Sequence, residues 1–324
     1  MSSSSPSVAH PHPVPTASGE IVATDRRRWL QLGLAAVWLY AGFLQMQTFM
    51  FSADFAKMTL EPVASGNPSW VAHSILWAAH IVAHSPLAWN VVFVLVQVLL
   101  GVGIAFRPTA RVALGGSVIW ALIVWWFGEG LGGLLTGTAT VLTGAPGGVL
   151  LYALIAIMVW PASERTPDRL LYVARWPLGF LGSRLVWLVL WGGFAALNLQ
   201  PANLTSSAVH DAVSGMGDGQ PHWITDAVNA FAAASNHNGI WLTLLGTAIL
   251  TLVALGVVLP PAWLRACVIL ALVTAAFIWL FGEALGAVFG GQATDPNSAP
   301  LLALIALAYL PSRRAGVSAS GEEK

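Results

Sequence analysis

The sequence predicts an all-α integral membrane protein with eight transmembrane helices, arranged as two parallel four-helix repeats. Composition gives the first indication, because 56% of the 324 residues are hydrophobic and only 9% are charged, whereas soluble domains carry about 25% charged residues. The second indication is a series of long apolar runs. The third is that landmarks of the first half return in the same order about 153 residues later.

Eight apolar runs are long enough, or nearly long enough, to cross a bilayer, which takes about 20 helical residues. The fourth and eighth runs are short, and each follows a glycine-rich stretch that either adds a helical turn or dips into the membrane without crossing it. The runs are Trp29–Met50, Leu87–Phe106, Val112–Phe127, Gly147–Trp160, Leu185–Leu199, Gly239–Leu259, Ala262–Phe281 and Ala299–Leu310.

The internal repeat consists of four landmarks with a constant offset of 153 or 154 residues. Such a repeat has to be recognised before a fold is assigned. Because each half has an even number of predicted helices, the two halves point the same way across the membrane. The landmarks are Gly66-Asn67-Pro68-Ser69-Trp70, His84, Arg111 and Phe127-Gly128-Glu129-Gly130-Leu131-Gly132, matched by Gly219-Gln220-Pro221-His222-Trp223, His237, Arg265 and Phe281-Gly282-Glu283-Ala284-Leu285-Gly286.

The basic residues predict the orientation. Thirteen of the fourteen Lys and Arg residues fall on one side of the predicted bundle, and only Lys57 falls on the other. This bias predicts a multi-pass protein of the plasma membrane with both termini in the cytoplasm. The predicted domains are a disordered cytoplasmic tail (1–28), a first repeat (29–160), a cytoplasmic linker (161–183), a second repeat (184–311) and a cytoplasmic tail (312–324).

Glu129 and Glu283 are the candidate catalytic residues. Each follows an apolar helix, and an ionisable side chain at membrane depth by default indicates a functional site. Burial would raise the pKa of the carboxyl group and make it a proton carrier near neutral pH. The alternative is that each Glu caps the backbone amides of the glycine-rich turn that follows it. The sequence leaves both readings open.

Histidines concentrate on the predicted outer side. His73, His80 and His84 fall within about 60° of one another on a helix. Together with His237 of the second half, they are candidate ligands for a transition metal, since neutral imidazole suits Zn, Cu and Fe. The alternative is that these side chains face lipid headgroups and water.

Each half also resembles a four-helix DoxX-type unit, the family that includes the small membrane subunits of thiosulfate:quinone oxidoreductase. The resemblance covers roughly residues 29–160 and 184–311, and it implies a quinone-linked membrane redox subunit. It rests on Tyr40-Ala41-Gly42-Phe43-Leu44, Trp191-Gly192-Gly193-Phe194-Ala195, Phe55-Ala56 and Gly101-Val102-Gly103-Ile104-Ala105-Phe106-Arg107-Pro108.

Three classes of function follow. The first is a redox subunit or accessory with an outward-facing Glu/His site and a membrane redox partner, in which Trp70 and Trp223 are candidate residues for binding a cofactor such as quinone. The second is a carrier or channel for a small solute or metal ion, bound between the repeats. The third is a structural assembly partner. Zero net charge gives no indication of nucleic-acid binding, and the absence of a nucleotide-binding motif argues against an ATP-driven pump.

The charge bias gives a direct test of orientation. A cysteine introduced at Ser206 or Ser214 should react with an impermeant thiol reagent on intact cells, whereas one at Ser163 should not, because the arginine-rich side faces the cytoplasm. Labelling is measured by mass shift on whole cells and on lysed cells. Equal labelling of both sides on intact cells would contradict the predicted orientation.

Overall fold

The structure, a computed structural model, describes residues 20–161 and 171–311. Within these ranges every regular element is helical, as the sequence predicts. Residues 1–19, 162–170 and 312–324, which include most of the predicted N-terminal tail, part of the linker and the predicted C-terminal tail, lie outside the described residues.

The main helices alternate with short 3₁₀ and π turns. The turns are Thr48–Phe51, Ala56–Leu60, Glu61–Ala64, Gly130–Gly133, Val141–Thr143, Pro201–Asn203, Gly256–Val258, Ile278–Gly282 and Ala284–Ala287, and Ala53–Phe55 forms one α-helical turn. The helices are α1 (Glu20–Leu44), α2 (Ser69–His84), α3 (Pro86–Ala105), α4 (Ala110–Phe127), α5 (Gly148–Met158), α6 (Arg175–Asn198), α7 (Ala208–Val213), α8 (His222–Ser235), α9 (Gly239–Leu255), α10 (Pro261–Phe277) and α11 (Ser298–Ala308).

Two predicted boundaries differ from the structure. Helix α1 begins at Glu20, so residues 20–28 are helical rather than part of the predicted tail, and it ends at Leu44 rather than Met50. Helix α6 begins at Arg175, inside the predicted linker, although non-helical backbone angles at Trp176 and Gly179 interrupt its first turns. In both cases basic residues lie near the start of the helix, and the sequence analysis therefore assigned this part to a cytoplasmic tail or linker.

Five helices in the described ranges are long and apolar enough to cross a membrane. They are α3, α4, α6, α9 extended to Val258, and α10 extended to Gly282. The chain therefore has the character of an integral membrane protein. Helices α5 and α11 are apolar but have only 11 residues each, and α1 is not among the five. The count of eight spans and the two-repeat arrangement stay predictions.

Three adjacent arginines of α1 donate hydrogen bonds to carbonyl oxygens at the C-terminal ends of other helices, all at one end of the bundle. The Arg27 guanidinium donates to the carbonyl oxygens of Met158 and Trp160, 3.0 and 2.8 Å away, where α5 ends. Arg28 binds the last carbonyls of α3 in the same way, and Arg26 binds a carbonyl just beyond α11. The start of α1 and the ends of α3, α5 and α11 therefore lie at one basic end.

The opposite end holds the repeated acidic motifs, because α5 and α11 begin there. Both short helices run through the protein core rather than along its surface, and most of their residues are buried. The largest fully buried side chains of the described residues belong to this core: Tyr152 on α5, Tyr309 at the end of α11, and Trp187, Trp191 and Phe194 on α6. The core between the acidic and the basic end is therefore filled with aromatic and aliphatic side chains.

A glycine allows α1 and α3 to pack closely. A Cβ atom at Gly101 would lie 2.6 Å from Cγ of Leu39 and 3.0 Å from the carbonyl oxygen of Ala35 on α1. Helices in lipid associate through such small residues, because their backbones can then approach each other. By contrast, a Cβ atom at Gly193 on α6 would meet nothing within 4 Å.

These two glycines form a matched pair for a packing test. We expect Gly101→Val to lower the free energy of unfolding by about 1–3 kcal/mol, because the added methyl groups force α1 and α3 apart. We expect Gly193→Val to change it by less than about 1 kcal/mol, since the added side chain meets no neighbour and valine differs from glycine in helix propensity by only a few tenths of a kcal/mol, in the stabilising direction. Unfolding in detergent is followed by circular dichroism. An equal loss in both variants would contradict the close approach of α1 and α3.

Candidate functional site

The two Phe-Gly-Glu motifs adopt the same local conformation. After each Glu the chain turns through four consecutive residues with positive φ, 130–133 and 284–287. The φ/ψ angles are 58°/30° at Leu131 and 58°/34° at Leu285. A tryptophan one turn earlier fixes the returning loop in each half. The indole Nε1 of Trp125 donates to the carbonyl oxygen of Pro146 at 2.6 Å, and that of Trp279 donates to Pro296 at 3.0 Å.

Each glutamate lies at the N-terminus of a short core helix. The backbone amide of Val149 in α5 donates to Oε1 and Oε2 of Glu129, at 3.0 and 3.2 Å. The backbone amides of Ser298 and Ala299 in α11 donate to Glu283, both at 3.2 Å, and the Ser298 hydroxyl donates to it as well. The amides belong to the helices after the loops, and not to the glycine-rich turns that the capping interpretation named.

Burial raises the pKa of both carboxyl groups, which lie beyond the ends of the long apolar helices. For Glu129, burial and the nearby negative charge of Asp295 raise the pKa well above its ordinary value, against the opposing effect of the α5 amides. For Glu283, burial raises the pKa from 4.5 to about 7, although hydrogen bonds from Ser298 and Ala299 oppose the rise. Burial also raises the pKa of Asp295 itself. Three carboxyl groups thus share one region, and the charge of Asp295 disfavours the ionisation of both glutamates.

An open cavity of about 680 Å³ lies beside Glu129. Its floor is the glycine-rich loop 128–148, and its walls come from residues 62–67 of the first half and residues 202–212 of the second. The two halves are tied together here, because Asn203 donates to the carbonyl of Ala139 at 3.1 Å and Thr140 donates to Asn198 at 2.9 Å. The polar lining includes Asn67, Thr138, Thr140, Thr143, Asn203 and Asp211.

The two glutamates differ in their exposure and in their position relative to the cavity. Glu129 is partly exposed and lines the cavity, whereas Glu283 is only 4% exposed. In the second half, Gln220 also holds the loop after Glu283: its Nε2 donates to the carbonyl of Ala287, and its Oε1 accepts from the amide of Phe289, both at 3.3 Å. Among the residues that the structure describes, Glu129 lines this cavity and Glu283 does not.

The predicted metal ligands are all exposed. His73, His80 and His84 lie on one side of α2, and His237 lies in the turn after α8. Among the residues that the structure describes, no group of three or more His, Cys, Asp or Glu side chains is placed to hold a metal ion. A metal at these histidines stays a prediction from the sequence.

The predicted cofactor residues lie outside the cavity. Trp70 and Trp223 are 56% and 60% exposed, and neither contributes to the cavity lining. The Trp70 ring instead packs at 5.6 Å, centroid to centroid, against Trp126 at the end of α4. Both tryptophans have the amphipathic exposure that is typical of membrane-interface anchors.

Sequence reasoning did not find the other polar groups of the site. Asp295 lies outside the four repeated landmarks, so the repeat did not mark it, and Asn67 lies within the first landmark but was not assigned to the site. The threonines of residues 136–143 lie in a low-complexity stretch without helical periodicity. The signal that was available is the unusual density of hydroxyl and glycine residues directly after a repeated acid in an apolar chain.

Comparison with known proteins gives no relative: no protein-family model matches the sequence, and neither a curated protein nor a solved structure matches it. The resemblance of each half to DoxX-type units therefore stays a prediction.

The raised pKa of Glu283 predicts how stability depends on pH. A carboxyl group whose pKa is higher in the folded than in the unfolded protein contributes stability below its unfolded pKa and loses that contribution as the pH rises through the folded pKa. We therefore expect the melting temperature in detergent to fall between pH 4.5 and about 7. Removing a hydroxyl donor with Ser298→Ala should raise the pKa further and move this fall to higher pH.

Ser235→Ala is the matched control, because this serine is equally buried and its hydroxyl donates to the carbonyl of Ala232 instead of a carboxylate. It should change the melting temperature equally at all pH values. The prediction would be contradicted if the melting temperature of the unmodified protein rose over this pH range. Such a rise would show that the hydrogen bonds to the ionised Glu283 carboxylate outweigh the cost of burying its charge.

Proposed function

We propose that this integral membrane protein is a carrier for a small polar solute, which binds in the cavity beside Glu129. The observation that carries the proposal is an open polar cavity of about 680 Å³ that ends on a partly buried carboxyl group between the two halves. Cavities of roughly 300–1,000 Å³ are the usual size of small-molecule sites. Transporters built from repeats commonly bind their substrates at the interface between the repeats.

The packing beneath the cavity favours a carrier over an open channel. Tyr152, Trp187 and Trp191 are fully buried between the acidic and the basic end of the bundle. A solute bound at Glu129 therefore needs a rearrangement of the helices to pass, as in alternating access. The two halves contact each other through residues of the loop 128–148, so the cavity wall itself would change shape in such a movement.

Glu129 supplies the proton chemistry of the proposed carrier. Its raised pKa, caused first by burial and then by Asp295, means that it takes up a proton more readily than an ordinary carboxyl group. A group that alternates between a neutral and an ionised form can couple proton movement to the binding of a solute. Glu283 is in contact with Ser298 and is closed off from the cavity, so we assign it to the support of α11.

No contact in the structure specifically favours the other two functions inferred from the sequence, the quinone-linked redox subunit and the structural assembly partner. A quinone-linked subunit with Trp70 and Trp223 at its cofactor site would place the cofactor outside the cavity, on two exposed side chains. A purely structural partner would leave the cavity and its carboxyl group unexplained. The carrier proposal accounts for both features of the site.

The test is solute flux into liposomes that contain the purified protein. Labelled guanidinium, urea, glycerol and acetate cover one cationic, two neutral and one anionic probe. We expect at least one probe to enter faster than into protein-free liposomes, and Glu129→Gln to remove most of this acceleration, because the variant can no longer exchange a proton.

Asp218→Asn is the control for this experiment, because Asp218 is an exposed acid that does not line the cavity. Its flux should equal that of the unmodified protein. If no probe enters faster than into protein-free liposomes, or if Glu129→Gln leaves every flux unchanged, the carrier proposal is wrong.

A further inference from the structure

The two copies of the acidic motif differ at the first residue of the short helix that each glutamate caps. In the second half this residue is Ser298, whose amide and hydroxyl both donate to Glu283. In the first half it is Gly148, which has no side chain to donate. A carboxylate has about four acceptor positions on its two oxygens. Three donors at Ser298 and Ala299 fill most of these positions on Glu283. Glu129 accepts from the backbone amides of Val149 and Gly148, has no hydroxyl donor, and lines the cavity.

A second difference keeps the first copy open. Gln220 in the second half pins the loop after Glu283 through two hydrogen bonds. Its counterpart Asn67 is one methylene shorter and donates instead to the carbonyl of Val63, within its own segment, at 2.8 Å. Asn67 lines the cavity, and the loop after Glu129 is not held over the carboxyl group by this side chain.

The charges of the cavity have a single sign. Its two ionisable lining residues are Glu129 and Asp211, and no Lys or Arg is among its lining residues in the described part of the chain. Threonine hydroxyls and asparagine amides complete the lining, so a bound solute is offered many hydrogen-bond acceptors and no fixed positive charge. Hydrogen bonds between an N–H donor and a carboxylate are the strong ones when both groups are charged.

From these observations we infer that the cavity takes a small cation with N–H donors, of the ammonium or guanidinium type, which binds the free acceptor positions of Glu129. This inference rests on the proposed carrier function and names its substrate class. It also assigns Gly148 as the residue that determines which copy of the motif binds a solute, because a hydroxyl at this position would occupy the carboxylate from within the protein.

Four small probes separate charge from N–H donors. Guanidinium and urea are nearly isosteric but differ in charge, and tetramethylammonium carries the charge without an N–H donor. Methylammonium carries both the charge and the donors. We expect unlabelled guanidinium and methylammonium to displace labelled guanidinium from the purified protein in detergent at mildly alkaline pH, and urea and tetramethylammonium to leave it bound.

Gly148→Ser tests the residue that distinguishes the two copies, with Gly148→Ala as its matched control. A Cβ atom at Gly148 would lie 3.5–3.6 Å from its nearest neighbours, which is an ordinary contact, so both side chains fit. We expect Gly148→Ser to weaken guanidinium binding about tenfold, which is about 1.4 kcal/mol, because its hydroxyl donates to Glu129. Gly148→Ala, which adds the carbon but no donor, should bind nearly as well as the unmodified protein.

The outcomes distinguish the two proposals. If urea or acetate enters liposomes in a Glu129-dependent manner and guanidinium neither binds nor enters, the carrier function stands and the cationic substrate class is wrong. Equal loss of guanidinium binding in Gly148→Ser and Gly148→Ala would overturn the role of the hydroxyl. Should Gly148→Ser fail to fold, Glu129→Gln decides the substrate class: guanidinium binding that survives this change contradicts it.

Discussion

The structure depends on satisfying the ends of two short helices inside the protein. Helices α5 and α11 have 11 residues each, so each spans about 16 Å at 1.5 Å per residue, roughly half the hydrocarbon thickness of a bilayer. The first amides and the last carbonyls of a helix have no partner within the helix, and such groups must be satisfied by other parts of the protein where they are buried. Glutamates bind the amides, and the arginines of α1 bind the carbonyls. The signs of these charges also complement the helix dipole at both ends.

The need to cap α5 and α11 explains why a glutamate occurs in both halves. This capping does not prevent the same carboxyl group from binding a solute. Each short helix needs an acceptor at its start, so losing either glutamate would leave buried amides without a partner. Once the cap is in place, the remaining acceptor positions of the carboxylate are available to a neighbour. In the second half that neighbour is the hydroxyl of Ser298. In the first half Gly148 leaves the positions open toward the cavity, so one copy can bind a solute while the other supports the fold.

The sequence predicted the parts of this arrangement that have a strong local signal. Long apolar runs predicted the helices, and the constant offset identified Glu129 and Glu283 before their surroundings were known. The sequence could not predict which amides the glutamates would cap. Glu129 and Val149 are 20 positions apart, and no sequence pattern predicts the path of the loop between them. The sequence could not place the histidines relative to the cavity for a related reason. Their spacing placed them on one face of α2, but helical periodicity cannot tell an outer face from a cavity.

The direction of the helix dipole in α5 and α11 also bears on the charge of the solute that the cavity binds. The N-terminus of a helix is a natural anion site, since its free amides and its dipole both favour negative charge. Here the protein itself supplies that anion, because the Glu129 carboxylate already accepts the amide of Val149. What α5 presents to the cavity is therefore a carboxylate and not a row of free amides, and Asp211 adds to its charge. Protonation of Glu129 removes the negative charge, and a bound cation neutralises it, so the proton and the cation compete for the same group. This competition is the physical basis on which a proton gradient could drive such a solute across the membrane.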